Sequence, residues 1–156
     1  MALLLHEGGE TRASVAGIVI SGFGLGGIVY ALTVGMLLSR FGERRLMIAG
    51  GATMGACLMA IALRLPWPVE FSLFCLLGFG FYLLHGVIQI YATELLPSAR
   101  GSTAALHSSF FFLGNALGPV VYGVGLGRVG LAPTVIVAGL VLFVIGIVCS
   151  RTLRRE

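Results

Sequence analysis

The sequence predicts an all-α membrane protein whose five transmembrane helices form a single transmembrane region. Two observations carry this prediction, and the first is composition. Hydrophobic residues make up 58% of the 156 residues and charged residues only 10%, whereas soluble domains average about 25% charged residues. Because so little charge cannot cover a water-facing surface, we expect the lipid bilayer to be the main partner of the chain.

The second observation is that the apolar residues fall into five runs. Each run approaches or exceeds the ~20 residues that cross ~30 Å of hydrocarbon at 1.5 Å per residue. The runs do not alternate polar and apolar residues, and a span in hydrocarbon must satisfy its own backbone groups, so each is predicted to be a helix. The predicted helices cover residues 13–38, 46–64, 69–93, 102–126 and 131–150.

The stretches between the runs carry charge or helix breakers. The first is SRFGERR at residues 39–45, which holds three arginines and one glutamate and is the densest charge cluster between two apolar runs. RLPWP at 64–68 and LPSARG at 96–101 contain prolines, which cannot continue a helix, and GRVG at 127–130 contains two glycines. Each of these stretches is predicted to end one helix and begin the next.

Arginine placement predicts the orientation, because positively charged residues concentrate in cytoplasmic loops. Five spans put the two termini on opposite sides of the membrane. Three arginines would then lie on one side and seven on the other, so we expect a cytoplasmic C-terminus and an external N-terminus. The smaller set is Arg12, Arg64 and Arg128, and the larger is Arg40, Arg44, Arg45, Arg100, Arg151, Arg154 and Arg155.

Glycine is abundant, with 24 residues, and several glycines are spaced four apart within the predicted helices. Small residues at this spacing let membrane helices approach closely. The pattern predicts a tightly packed bundle. The pairs are Gly22 with Gly26, Gly51 with Gly55, and Gly114 with Gly118.

Polar side chains inside a bilayer are expensive and therefore mark candidate functional positions. His85 and Gln89 are four residues apart on the third helix and so share one face. With Asn115 of the fourth helix they are the candidates for a substrate cavity, although Asn115 could instead hold helices together. His107 is expected near the cytoplasmic surface, within reach of water. Aromatic residues could line the same cavity or pack against lipid: Phe79, Tyr82, Phe110, Phe111 and Phe112.

No catalytic constellation appears in the sequence. The zinc-protease, phosphate-binding and serine-hydrolase motifs are missing, and no two carboxylates are paired within a span. Cys57, Cys75 and Cys149 each lie in an apolar run without metal-ligand spacing. We therefore expect no enzymatic activity, no metal and no cofactor, and the basic pI near 9.4 indicates topology and not nucleic-acid binding.

The first charged turn carries a family resemblance. The run Gly35-Met-Leu-Leu-Ser-Arg-Phe-Gly-Glu-Arg-Arg resembles the cytoplasmic-loop signature G-x-L-x-D-R-x-G-x-R-x of the major facilitator superfamily, with Gly35, Arg40, Gly42 and Arg44 in register. In that family the acid of this motif helps to lock the outward-open state. Ser39 replaces it here, so the resemblance implies a weaker latch or an anion supplied by another residue.

Two later stretches add to the resemblance. ATELLPSARG at residues 92–101 looks like the second cytoplasmic turn of the family, and it places Glu94 and Arg100 beside the first turn, where Glu94 could supply that anion. GNALGPVVYG at residues 114–123 is similar to the antiporter motif G-x-x-x-G-P-x-x-G-G with its last glycine pair altered. Within it, Gly114, Gly118 and Pro119 are the candidate helix-bend residues, because proline removes a backbone donor.

A full member of this family has twelve helices in two halves. Five helices with a cytoplasmic C-terminus match helices eight to twelve, and the internal repeat leaves helices two to six as a second placement. The resemblance implies part of a secondary transporter in a bacterial inner (cytoplasmic) membrane, with efflux of an unknown small molecule and the N-terminal half as partner. The alternative is a truncated or partner membrane subunit without transport activity of its own.

Overall fold

The computed structural model describes residues 13–153, which leaves Arg12, Arg154 and Arg155 of the orientation argument outside the described part. Within these residues, four long helices and one short 3₁₀ turn, Pro97–Ala99, follow one another. The helices are α1 (Ala13–Ile61), α2 (Trp67–Glu94), α3 (Arg100–Val129) and α4 (Leu131–Thr152). All four are long and apolar enough to cross a membrane.

The sequence predicts five helices, whereas the described residues form four, and the difference lies at Gly42. Helix α1 runs for 49 residues and is interrupted only at Gly42, whose backbone has φ 75° and ψ 160°. A helix of that length would extend about 74 Å, more than twice the thickness of the hydrocarbon core. The predicted turn at 39–45 is therefore a one-residue break, because helical structure resumes directly after Gly42. We refer to residues 13–41 as the first arm and 43–61 as the second arm.

The two arms of α1 run in opposite directions along the same neighbour. In the first arm, a Cβ added to Gly22 would lie 2.8 Å from the carbonyl oxygen of Phe71, and Tyr30 contacts Gly86, so residue numbers rise together along α2. In the second arm the order reverses, because Gly50 approaches Gly80 and the later residue Ile61 packs against earlier residues of α2. The chain therefore reverses its direction at Gly42. This reversal allows the two arms to cross a membrane in opposite directions.

The buried core lies where the second arm, α2 and α4 meet. One cluster joins Met47 and Met54 of the second arm to Leu84 and Val87 of α2, and another joins Ile61 to the start of α4. Much of the remaining surface of these helices is apolar and exposed, as expected for residues that face lipid or other membrane helices.

Glycines set the closest helix contacts. The pairs Gly22 with Gly26 and Gly51 with Gly55 both pack against neighbouring backbone, which confirms the close approach expected of them. For Gly114 and Gly118 the close approach stays a prediction, because a Cβ at either would meet no atom within 4 Å in the described part of the chain. Both lie on the exposed surface of α3, the helix with the fewest neighbours, so their spacing brings nothing together here.

Helix α3 lies at the edge of the bundle. None of its residues is buried, and the helix continues through Pro119. Near its C-terminal end, Gly125 and Tyr122 pack against Thr134 and the Ile61 cluster. A crevice of about 580 Å³ lies between α4 and the C-terminal part of α3, where Gly118 to Val129 line it. Helix α3 is thus held mainly near its two ends.

Candidate functional site: an aromatic and histidine cluster

In its N-terminal half, α3 contacts α2 through a group of aromatic rings that surrounds two histidines. Phe81 and His85 lie four residues apart on α2, and His107 and Phe111 lie four residues apart on α3. Side chains at this spacing share a helix face, so each helix presents one histidine and one phenylalanine to the other. We call these four residues the His–Phe cluster.

The rings of the cluster are in direct contact. His85 stacks on Phe81 with 5.0 Å between ring centroids and 13° between planes. Its other contacts cross to α3, with 4.7 Å to Phe111 and 5.2 Å to His107. Distances in this range are those of favourable aromatic pairs. The cluster therefore supplies much of the contact between α2 and the N-terminal half of α3.

The cluster extends to the first arm of α1 through further rings. Phe23 lies 5.4 Å from Phe81, and Tyr30 stacks on Tyr82 at 5.9 Å. Gly27 makes room for this approach, because a Cβ there would come within 2.5 Å of the Tyr82 ring. Three elements that are distant in sequence thus meet around one row of aromatic side chains.

His107 contributes a buried polar atom to the cluster. Its Nε2 is inaccessible to solvent and has no hydrogen-bond partner within residues 13–153. The side chain as a whole is partly exposed, so the expectation that His107 reaches water near the cytoplasmic surface stays a prediction. His107 lies about 10 Å along the helix from the first residue of α3, and its ring packs against that of His85.

His85 lies near the middle of its span. It is nine residues before the last residue of α2, or about 14 Å along the axis, which is close to half of a 30 Å hydrocarbon core. The side chain of His85 is partly buried. The structure brings His85 together with His107 instead of with Asn115.

Gln89 and Asn115 flank the cluster on opposite sides. Both are exposed in the described structure. Asn115 donates a hydrogen bond through Nδ2 to the carbonyl oxygen of Phe111, at 3.1 Å. Because α2 and α3 run antiparallel, Gln89 lies about one turn to one side of the cluster and Asn115 about one turn to the other. Exposed amides beside a ring cluster can hydrogen-bond to a ligand or to another membrane helix.

The six residues proposed for the gating motif lie at one end of the bundle. The register of the first arm against α2 places Arg40 at the level of Glu94, and Arg100 begins α3 just beyond the 3₁₀ turn. Arg40 and Arg44 are exposed, and the guanidinium of Arg40 lies 5.7 Å from the Phe41 ring centroid. Gly35 is exposed with open space around it, and Gly42 makes the turn.

Ser39 does not replace the missing acid. Its hydroxyl donates to the carbonyl oxygen of Met36 in its own helix, at 3.0 Å. Hydroxyl side chains commonly bond to the preceding turn of a helix in this way. A neutral donor that is occupied locally provides no anion for the arginines of the turn.

Glu70 is a buried acid that the sequence analysis does not single out. It lies in the first turn of α2 with 1% of its surface exposed, and its Oε2 has no hydrogen-bond partner in the described part of the chain. In the sequence, only its position between PWP and an apolar run could have indicated that it is buried. An acid in the first turn of a helix is common, because it interacts favourably with the helix dipole. Burial of the side chain is what makes it unusual.

Metal binding has no support in the described residues, where no three His, Cys, Asp or Glu side chains are grouped to hold an ion. The three cysteines are separate from one another and from the His–Phe cluster, and all are free thiols. The polar chemistry of the site thus consists of two imidazoles and two amides among aromatic rings.

Long apolar helices with close glycine contacts define an integral membrane protein of packed α-helices. The chain matches the family model of the Major Facilitator Superfamily over residues 3–156. It therefore belongs to this superfamily of membrane transporters, as the motifs at the two turns indicate. No solved structure matches the chain.

Two relatives from Bacillus subtilis (strain 168) are similar to the chain. The uncharacterized MFS-type transporter YuxJ is 30% identical over 152 residues, covering 92% of this chain and 37% of YuxJ. The uncharacterized MFS-type transporter YfnC is 31% identical over 115 residues, covering 73% of this chain and 28% of YfnC. The chain thus spans about a third of the length of these relatives.

Proposed function

We propose that this chain is part of a secondary active transporter that exports a small molecule by alternating access. The observation that carries the proposal is the superfamily match across residues 3–156. Transporters of this kind hold their substrate near the bilayer midplane and rock two halves about it. His85 of the His–Phe cluster, about 14 Å along α2 from Glu94, would lie near that depth and carries polar atoms, which supports its assignment to the wall of a transport pathway.

The five membrane crossings correspond best to helices eight to twelve of a twelve-helix transporter. The two arms of α1 supply two crossings, and α2, α3 and α4 supply three. The first arm and α3 expose large apolar residues, including Leu32 at 82% and Val121 at 70%. An N-terminal half would cover part of this surface, and lipid would cover the rest.

In this assignment His85, Gln89 and Asn115 contact the substrate and the surrounding rings shape the pathway. Phe111 and Phe112 are 36% and 67% exposed beside the cluster, so aromatic surface faces outwards from it. Aromatic rings with a few hydrogen-bonding groups favour hydrophobic or amphipathic substrates. The direction of transport proposed here, export, rests on that surface and on the antiporter-like stretch around Pro119.

The charged end of the bundle would act as the gate. Arg40, Arg44 and Arg100 lie at the end of the bundle where the first arm turns, and Glu94 ends α2 at the same level. We assign this end to the cytoplasmic side of a bacterial inner membrane, because positively charged residues concentrate there. The C-terminus then lies in the cytoplasm.

The proposal is tested in the complete transporter, expressed in a strain that lacks other exporters. Drug susceptibility and uptake into inverted vesicles are compared for the wild type, His85→Ala and Gln89→Ala. Both variants should reduce transport at least about tenfold if each contact stabilises the bound substrate by about 1.4 kcal/mol or more. Ser72→Ala on the same helix is the matched control, because its hydroxyl bonds only to Pro68 of its own helix.

Two results would contradict the assignment. If both alanine variants insert normally and transport as well as Ser72→Ala, the cluster does not line the pathway. If the complete protein has no transport activity against a broad panel of small molecules, the alternative of a partner membrane subunit is favoured. That alternative also predicts that this chain copurifies with a different membrane protein through its exposed apolar faces.

A further inference from the structure

A groove lies on the surface of the bundle between the second arm of α1 and α4. Its volume is about 280 Å³, and every residue that lines it is apolar. Its larger side chains are between 36% and 46% exposed, so the groove opens at the surface and not into the core. The lining residues are Ala52, Gly55, Ala56, Met59, Leu140 and Phe143.

The groove lies on a different side of the second arm from the contact with α2. Met47 and Met54 belong to the core cluster that the second arm shares with α2. At 100° per residue, Ala52 and Ala56 lie on nearly the opposite side of the helix from these methionines. The single methyl groups of the two alanines leave room between the second arm and α4, and the groove faces the surrounding membrane.

Two arginines lie on the same helix faces as the groove. Arg45 is seven residues before Ala52, which is about two turns, and so it shares a face of the second arm with the groove. Arg151 is eleven residues after Leu140, which is about three turns, and so it shares a face of α4 with the groove. Both arginines are exposed. The groove therefore leads towards two guanidinium groups at one end of the bundle.

The contacts between the two helices bring these arginines to one level. In the middle of the interface Gly55 contacts Gly139. Met47, earlier in the second arm, contacts Gly146, which is later in α4, so the helices run antiparallel. Beyond this second contact the two arginines lie about 3 Å and about 7.5 Å along the axes, in the same direction. They differ in level by less than one helical turn, so both side chains can reach the same bound group.

The charge around the pair is positive. Residues 43–45 and 151 comprise three arginines and one glutamate, which gives a net charge of +2. The glutamate, Glu43, is four residues before Met47 and so lies on the side of the second arm that packs against α2. The face that carries the groove thus combines an apolar channel with two positive groups, which is the chemistry of an anionic lipid in reverse.

We propose that this face binds one anionic phospholipid of the cytoplasmic leaflet. The lipid phosphate accepts hydrogen bonds from Arg45 and Arg151, and one acyl chain lies in the groove over Ala52 and Ala56. Guanidinium groups bind phosphate oxygens through paired, charge-assisted hydrogen bonds. Basic sites between membrane helices on the cytoplasmic side bind anionic headgroups in this way. The choice of leaflet rests on the orientation given under the proposed function.

The length of the groove fits an acyl chain. Ala52 lies about 10 Å and Ala56 about 16 Å along the axis from Arg45. One leaflet of a bilayer with a hydrocarbon core of about 30 Å is about 15 Å deep. A lipid whose phosphate is held at the arginines therefore places its chain along the groove as far as the middle of the membrane.

The test counts the lipids that the purified chain binds, by native mass spectrometry from dodecyl maltoside. The protein receives equal amounts of phosphatidylglycerol and phosphatidylcholine, both with palmitoyl and oleoyl chains. The wild type should bind one phosphatidylglycerol at least about tenfold more tightly than phosphatidylcholine, because only the anionic lipid lacks a positive group of its own that competes for the phosphate. The double substitution Arg45→Gln and Arg151→Gln should bind the two lipids equally, and Arg151→Gln alone serves if the double variant does not fold.

Two further variants separate the site from general surface charge. Arg100→Gln removes the same charge from the same end of the bundle, at the start of α3, and should keep the preference for phosphatidylglycerol. Ala56→Leu keeps both arginines but fills the groove, and should weaken the binding of phosphatidylglycerol at least about tenfold.

Three results would overturn the proposal. They are equal binding of the two lipids by the wild type, an equal loss of preference in Arg100→Gln and the double variant, and a dimer that covers this face and binds no lipid. None of these measurements needs a substrate. The lipid site can therefore fail while the proposed transport function holds, or hold while that function fails.

Discussion

One close helix contact that a single methyl group can probe is between Gly55 in the second arm of α1 and Gly139 in α4. A Cβ added to Gly55 would lie 2.8 Å from the carbonyl oxygen of Gly139 and 3.3 Å from Cβ of Phe143. The reverse substitution meets the same obstacle, because a Cβ on Gly139 would lie 2.9 Å from the carbonyl oxygen of Gly55. The obstacle is backbone on both sides, so no side-chain rotation can relieve it.

Gly55→Ala should therefore destabilise the bundle. Carbon atoms pack best at about 3.5–4.0 Å, so the two helices would have to separate by roughly half an ångström or more. Overpacking of this kind costs about 1–3 kcal/mol. Alanine recovers up to about 1 kcal/mol through its higher helix propensity. The expected net loss in the free energy of unfolding is about 1–2 kcal/mol.

Gly24→Ala is the matched control on the same helix, because a Cβ there meets no atom within 4 Å in the described structure. It should be neutral or stabilising by up to about 1 kcal/mol. The assay is reversible unfolding of the purified protein from dodecyl maltoside micelles by added SDS, followed by far-ultraviolet circular dichroism. Equal stability of the two variants would refute the reasoning, since the contact with Gly139 would then place no limit on residue size.

Three further predictions concern other parts of the chain. Gly42→Ala should lower the free energy of unfolding by about 1–3 kcal/mol, because its φ of 75° and ψ of 160° suit only glycine; Gly35→Ala, in open space, should not. Glu70→Gln should leave the thermal midpoint unchanged or raise it at pH 7, because it removes a charge from a buried side chain; a fall of several degrees would show that the carboxylate is stabilising. In a cysteine-free background, Ser98→Cys should react with a membrane-impermeant maleimide from the cytoplasmic side and Pro66→Cys from outside, and the reverse pattern would invert the proposed orientation.

Several features of the fold follow from the sequence because the bilayer leaves few options. The hydrocarbon thickness sets the length of each apolar run, and the need to satisfy backbone groups makes each run helical. The charge at 39–45 indicates a turn, because arginines are favoured at a membrane surface and not within the hydrocarbon core. The sequence did not show whether a loop would follow the first arm or whether the helix would resume at once. In the structure only Gly42 leaves the helical conformation, so the helix resumes at once.

Which side chains meet across helices could not be obtained from periodicity alone. The spacing of Phe81 with His85, and of His107 with Phe111, identifies one face on each of two helices. It does not say how each helix is rotated about its axis or at what depth α3 begins. The same limit applies to glycine spacing, which is confirmed for Gly51 and Gly55 and stays a prediction for the exposed pair on α3.

The sequence by itself thus determined that the chain is a helical membrane protein of the Major Facilitator Superfamily, because composition, run length and turn motifs are local properties. The tertiary structure alone decided that His85 lies against His107, 22 positions later in the sequence, and that Glu70 is buried. Those contacts depend on helix rotation and on close approaches at glycines such as Gly27, where the absence of a single Cβ decides how near two helices can lie.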